Sequence, residues 1–198
     1  CTWGLAFSTQ ARTKTGEEAD QFYAQAVEKY QAALKIKPDY YNVLYVWGLN
    51  LHSQAKTKTG KDADRLFALS GKKFQETLKI KPDMYNALNN WGNVLFRQAK
   101  TKTGKKAECL YAQAVEKYQA ALKIKPDDHE ALSKWGNALF SQAKTKTGKD
   151  ADRLFAQSKD LLLKAESISP GSAAYNIACW CAIRGQEDEC RKWLEKCL

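Results

Sequence analysis

The pair Trp-Gly recurs at Trp3-Gly4, Trp47-Gly48, Trp91-Gly92 and Trp135-Gly136, each copy 44 residues after the one before. Behind each pair comes Gln-Ala-Lys/Arg-Thr-Lys-Thr-Gly, ending at Gly16, Gly60, Gly104 and Gly148. The four prolines, Pro38, Pro82, Pro126 and Pro170, keep the same interval. A fixed period of about 20–50 residues marks a stacked-repeat architecture, in which one unit cannot bury its apolar face without its neighbours. A chain of 198 residues that length alone would divide into one or two globular domains is therefore expected to be a single array.

Proline is tolerated in helix starts and loops but not in helix interiors, so its regular spacing marks unit boundaries. The units expected are 1–38, 39–82, 83–126, 127–170 and a short terminal 171–198. The first reads as clipped, because Trp3 follows only two residues whereas Trp47 comes eight after Asp39, and the native chain is expected to extend further toward the N-terminus. Many Ala, Lys, Gln and Leu and little β-branched alternation predict an all-α chain.

The third unit serves as the type. Asp83 is positioned to cap a first helix whose apolar residues Leu88, Trp91, Leu95 and Phe96 form one stripe, and which should run to Ala99 or Lys100. The sequence Thr101-Lys102-Thr103-Gly104 should break it, since Thr and Gly favour turn geometry. A second helix should then carry Ala107, Leu110, Tyr111, Ala114, Tyr118, Ala121 and Leu122 and stop near Ile124, ahead of Pro126. In three units an acid stands three residues after the last Thr (Thr15/Glu18, Thr59/Asp62, Thr147/Asp150), the spacing of a capping box; Thr103 has Lys106 instead.

The run Leu88-x2-Trp91-Gly92-x2-Leu95, then Ala114-x3-Tyr118, then Pro126, resembles the tetratricopeptide repeat, whose pattern is W-x2-L-G-x2-Y, A-x3-F and P in about 34 residues. The bulky residue is exchanged between neighbouring sites, Leu88 standing at the usual Trp and Trp91 at the usual Leu. The last unit, from Tyr175 through Ala178, Gly185 and Cys190 to Leu194, looks like a repeat of ordinary length. Ala178 to Cys190 is 12 residues where Gly92 to Ala114 is 22, which places the ten extra residues of the 44-residue variant around TKTG, at the hairpin tip. The resemblance covers essentially the whole chain and implies an all-α, right-handed superhelical solenoid of antiparallel helix hairpins.

It also implies that the first helices line a peptide-binding groove. Residues 23–39 and 111–127 are identical over seventeen positions, while the first helices of the same units differ, which points to a groove diversified upon a copied scaffold. The groove residues expected are Tyr45, Leu49, Asn86, Asn89, Asn90, Asn93, Arg97, Lys134 and Asn137, with Thr2, Leu5, Thr9, Asn42, Val46, Ser53, Ser133 and Ser141 along the same face. Asn both donates and accepts, which suits the backbone of an extended peptide. The clamp that some members use for a terminal carboxylate is only partly matched, since Tyr45 and Asn89 stand where Lys would be expected. The expected function is non-catalytic binding of a protein or peptide partner.

The net charge of +10 raises nucleic acid as a partner. Yet the four windows around TKTG hold twelve basic and eight acidic side chains and no aromatic in the turns to stack a base. Polyanion binding along that edge stays an alternative, as does end-to-end self-assembly through Trp3, Leu5 and Phe7, but nucleic acid is not the expected partner. Of the six cysteines, Cys190 and Cys197 correspond to core Ala114 and Ala121, and Cys179 and Cys181 point to different helix faces, so no metal site is expected. Cys1 and Cys109 complete a set read as reduced thiols of a cytoplasmic protein. His52 and His129 are expected at the surface, no nucleophile and base pair can be assembled, and neither an enzyme, a cofactor nor a membrane span is expected.

Overall fold

The repeating string dictates helices of fixed length, and the computed structural model, which describes residues 2–197, has them. Ten helices occur among the described residues: α1 (Thr2–Thr13), α2 (Gly16–Ile36), α3 (Tyr41–Ala55), α4 (Gly60–Ile80), α5 (Tyr85–Lys100), α6 (Gly104–Ile124), α7 (His129–Ala143), α8 (Gly148–Ile168), α9 (Ala174–Ile183) and α10 (Glu187–Glu195). Consecutive helices pair as hairpins, α1 with α2, α3 with α4, α7 with α8 and α9 with α10. The α2, α4, α6 and α8 helices are each 21 residues long, about 32 Å at the α-helical rise. In the last hairpin the helices shrink to 10 and 9 residues, against 15 and 21 in the pair before it.

Packing divides the chain into two compact units, Cys1–Val94 and Leu95–Leu198, with the division inside α5. In the first, Ala26, Tyr30 and Val43 form one core with Trp47 against it, and Phe67, Phe74, Ala87 and Val94 form another with Trp91 against it. In the second, the end of α5 packs on α6 through Ala99, Ala107 and Tyr111.

The glycine of Trp-Gly makes the hairpins close. A Cβ at Gly48 would stand 2.7 Å from the buried Phe74 ring, and one at Gly136 would stand 2.9 Å from Leu162. Only a bare Cα lets the second helix come so near. Ser70 and Ser158, also buried, donate to the carbonyls of Gly48 and Gly136, both at 2.8 Å.

TKTG is the hairpin tip, and its first Thr, its Lys and its Gly have separate jobs. The first Thr donates to the carbonyl three residues back, Thr57 to Gln54 at 2.8 Å and Thr145 to Gln142 at 2.7 Å, closing the end of the first helix. Gly60 and Gly148 take φ of +58° and +60°, left-handed values that turn the chain into the second helix. The capping box expected at the second Thr does not form. Thr15, Thr59, Thr103 and Thr147 are the N-caps, but none makes a side-chain cap hydrogen bond, because the left-handed glycine comes directly after them.

Asp83 is not a helix cap either: it lies in the turn, and α5 begins two residues later at Tyr85. The cap position one residue further on holds an acid only at Asp128, whose carboxylate accepts from the Ala131 N–H at 2.7 Å.

The lysine of TKTG ties successive hairpins together. Lys58 reaches back to Asp20 on α2 at 2.5 Å, and Lys146 pairs with Glu108 on α6, the same two positions two repeats apart.

Candidate functional site

The first helices α1 and α3 lie together in the first unit and enclose a narrow cleft of about 80 Å³. Leu5, Thr9 and Arg12 come from α1, and Val46, Leu49 and Ser53 from α3. These residues share the cleft because the 3.6-residue helical period brings every third or fourth side chain to one face. Ser8, Asn50 and Tyr23 of α2 complete the lining.

Asn50 gives the cleft its chemistry. It is 2% exposed, and its Nδ2 donates to Ser8 Oγ at 2.6 Å. The Ser8 hydroxyl donates to the Gly4 carbonyl at 3.1 Å and lies 2.8 Å from Tyr30 Oη. With the only Ser8 proton on Gly4, its oxygen accepts from both Asn50 and Tyr30, so the Asn50 amide must turn its N–H2 toward Ser8. Its carbonyl Oδ1 is then buried without a partner. An unmade hydrogen bond at a buried acceptor costs about 1–3 kcal/mol. Burial also raises the Tyr30 phenol above its ordinary value, against the opposing bond to Ser8, and keeps it the neutral donor that this chain requires.

Across the α3–α5 contact, Asn90 Nδ2 donates to Tyr45 Oη at 3.1 Å and to the Asn86 carbonyl at 2.8 Å. Tyr45 is half-buried, with its ring centroid 5.9 Å from that of Phe74. Asn86 is exposed and Asn93 half-buried. Asn89 differs: it is buried, with Nδ2 3.5 Å from Tyr85 Oη and Oδ1 unpartnered, so it belongs to the helix packing rather than to an open face. The first unit thus links Tyr45, Asn86 and Asn90 by hydrogen bonds and packs Tyr45 and Leu49 against one core. In the second unit Arg97 is exposed, Lys134 pairs with Glu130 at 3.2 Å, and Asn137 is half-buried. Asn176 donates to Ser133 Oγ at 3.2 Å. The side chain of Thr2 lies outside the described residues.

Sequence reasoning did not single out Ser8, Arg12, Tyr23 or Asn50. A signal for Asn50 was present, because the same position holds Val94 and Ala138 in the next two units, and one amide in an apolar column calls for a reason.

Other expectations are corrected. His52 is half-buried, not a surface residue, and meets the Phe67 ring edge-on at 5.8 Å. His129 is also half-buried. Cys197 is exposed and Cys190 half-buried, unlike the buried Ala114 and Ala121. Of the cysteines near the C-terminus, Cys181 is the buried one, and burial raises its thiol above the ordinary value; Cys1 lies outside the described residues. Trp3 and Leu5 are exposed, while Phe7 is half-buried with its ring stacked near Phe22 at 6.3 Å. Among the described residues no cluster of three metal-ligating side chains occurs, and no helix is long and apolar enough to cross a membrane.

No curated protein matches the sequence. Solved structures match the fold. The fold is similar to that of MamA 41-end from Desulfovibrio magneticus RS-1, with a TM-score of 0.66 and 16% identity over 98% of this chain and 90% of that one. It is similar to PilW, a type IV pilus biogenesis factor, with a TM-score of 0.68 and 18% identity over 98% and 76%. It is similar also to TTC0263, a thermophilic tetratricopeptide protein of Thermus thermophilus, with a TM-score of 0.67 and 14% identity over 98% and 88%. At these identities the likeness establishes the tetratricopeptide fold and nothing more. A family model goes further: the plant-specific mitochondrial import receptor subunit TOM20 matches residues 63–184, which span α4 through α9 and more than half of the sequence. The match runs through the α5–α6 and α7–α8 hairpins and half of the hairpin on either side, and by it the chain belongs to the plant-specific mitochondrial import receptor subunit TOM20 family.

Proposed function

We propose that the chain is a non-catalytic scaffold that binds a polypeptide in extended form along the first helices of its hairpins. The tetratricopeptide fold and the import-receptor family both support a polypeptide as partner, and a precursor bound for the mitochondrion is the class the family name points to. The cytosolic face of the mitochondrion is the place where such a precursor would be met.

The observation that carries this reading is the buried Asn50 carbonyl in the α1–α3 cleft. An extended peptide offers backbone N–H groups at regular intervals, and one of them entering between Leu5 and Leu49 would satisfy Oδ1. Leu5, Val46 and Leu49 supply apolar contact around that bond, and Arg12 supplies a positive charge at the cleft. Asn86 and Asn90 add amides along the same side of the first unit.

The test is Asn50→Val, which copies the residue at position 94. Removing an unsatisfied buried carbonyl should leave the melting temperature unchanged or raise it. Binding of a mitochondrial precursor polypeptide, followed by fluorescence anisotropy, should weaken about fivefold for the loss of one hydrogen bond. Unchanged affinity in a folded Asn50→Val chain would place the binding surface elsewhere.

A further inference from the structure

The structure sets a lysine, a tryptophan and a carboxylate together at Trp47 and again at Trp180. Lys73 of α4 lays its ammonium 4.2 Å from the Trp47 ring centroid on α3 and donates to Glu76 at 2.7 Å. Lys159 of α8 lies 4.8 Å over the Trp180 ring on α9 and pairs with Glu189 of α10 at 3.2 Å. The negative face of an indole attracts a cation, and the carboxylate beside it holds the charge in place.

Trp135 stands in α7 where Trp47 stands in α3, but the position that corresponds to Lys73 is Leu161. Over Trp135 the structure has a cavity of about 410 Å³, walled by Val115 of α6 and Leu161 of α8, with Leu139 also in the lining. Asp160 stands exposed at its rim. The neighbouring charges are already engaged: Lys159 by Glu189, and Lys164 by Asp127 at 4.0 Å. Asp160 is in no ion pair among the described residues.

We infer that this cavity binds a lysine or arginine side chain of a partner polypeptide, its charged head over Trp135 and beside Asp160, as Lys73 lies over Trp47 beside Glu76. The aliphatic stem of such a side chain runs along apolar surface, which Val115 and Leu161 provide. The volume lies within the roughly 300–1,000 Å³ of small-ligand sites, ample for one side chain and its neighbours. An anion is disfavoured by the Asp160 carboxylate. The site is built from α6, α7 and α8 and is separate from the α1–α3 cleft, so it stands or falls independently of the groove.

The test follows the indole N–H resonances of Trp135 and Trp47 by 1H–15N NMR in the intact chain. n-Pentylammonium chloride, which has the stem and head of lysine, is titrated against 1-pentanol, with sodium chloride added to equal ionic strength. The ammonium should shift Trp135 saturably and bind about threefold more tightly than the alcohol, and Trp47, under its own lysine, should not respond. Asp160→Asn, at an exposed position, should weaken the ammonium about threefold and leave the alcohol unaffected. Leu161→Lys should abolish the response, and Lys73→Leu should create one at Trp47. No response at Trp135 in the unaltered chain, or equal responses to ammonium and alcohol, would overturn the inference. So would a Trp135 response to the ammonium that Asp160→Asn leaves unchanged.

Discussion

Glycine at two kinds of position shows how single residues set this fold. Gly48 lies in mid-helix, where alanine ordinarily gains about 1 kcal/mol, yet a Cβ there would press on the buried Phe74 ring at 2.7 Å. Gly60 meets open space but takes φ +58°, which costs other residues about 1–2 kcal/mol. Gly48→Ala is therefore expected to destabilise by about 1–3 kcal/mol through overpacking, and Gly60→Ala by about 1–2 kcal/mol through strain. Gly60→Asn should recover part of the loss, because Asn tolerates that conformation better. Urea unfolding measures all three. If the glycines were only residues copied by duplication, both alanine variants would be neutral or more stable.

Asp20 gives a second residue-scale test. The bond from Lys58 holds its carboxyl below the ordinary value, with burial opposing and Gln54 adding to the effect. A carboxylate whose folded pKa is lowered contributes stability above its unfolded pKa and loses it as pH falls through the folded one. The Asp20 contribution should thus be intact at neutral pH and fade below about pH 4. For a partly exposed pair it should be about 0.2–1 kcal/mol. Asp20→Asn should flatten the acid limb of stability against pH; parallel limbs for the two chains would count against the ion pair.

Among the elements, the long helices and where they end were legible from the sequence, and the capping of their starts was not. Apolar spacing from Ala107 to Leu122 and the stop before Pro126 gave α6 its end at Ile124. The interval from Trp91-Gly92 to TKTG gave α5 its end at Lys100. Capping was misread, because Thr followed by an acid three residues on is a capping box only when the first helical residue is right-handed, and here it is a left-handed glycine. TKTG also hid its lysine's role. Lys58 with Asp20, and Lys146 with Glu108, are separated by most of a repeat, so the pairing appears only once hairpins are stacked. These two pairs are places where acids offset the lysines of the basic edge. Of the residues expected along the first helices, Tyr45, Asn86 and Asn90 lie within hydrogen-bonding reach of one another, as their helical spacing suggests. Asn50 was not legible, since a core position is read as packing until its hydrogen bonds are counted.

For the whole molecule, a copied scaffold with diversified first helices leads to one central claim, that a polypeptide lies along α1 and α3. Site-specific photocrosslinking tests it most directly. A benzophenone side chain is placed at Ser53, in the cleft, or at Leu163, an exposed position on α8 in the second unit. Each chain is irradiated with a radiolabelled mitochondrial precursor polypeptide. Crosslinking at position 53 that unlabelled precursor competes away, with little at position 163, is the expected result. Equal yields at the two positions, or a yield at 53 that competitor does not reduce, would contradict the claim.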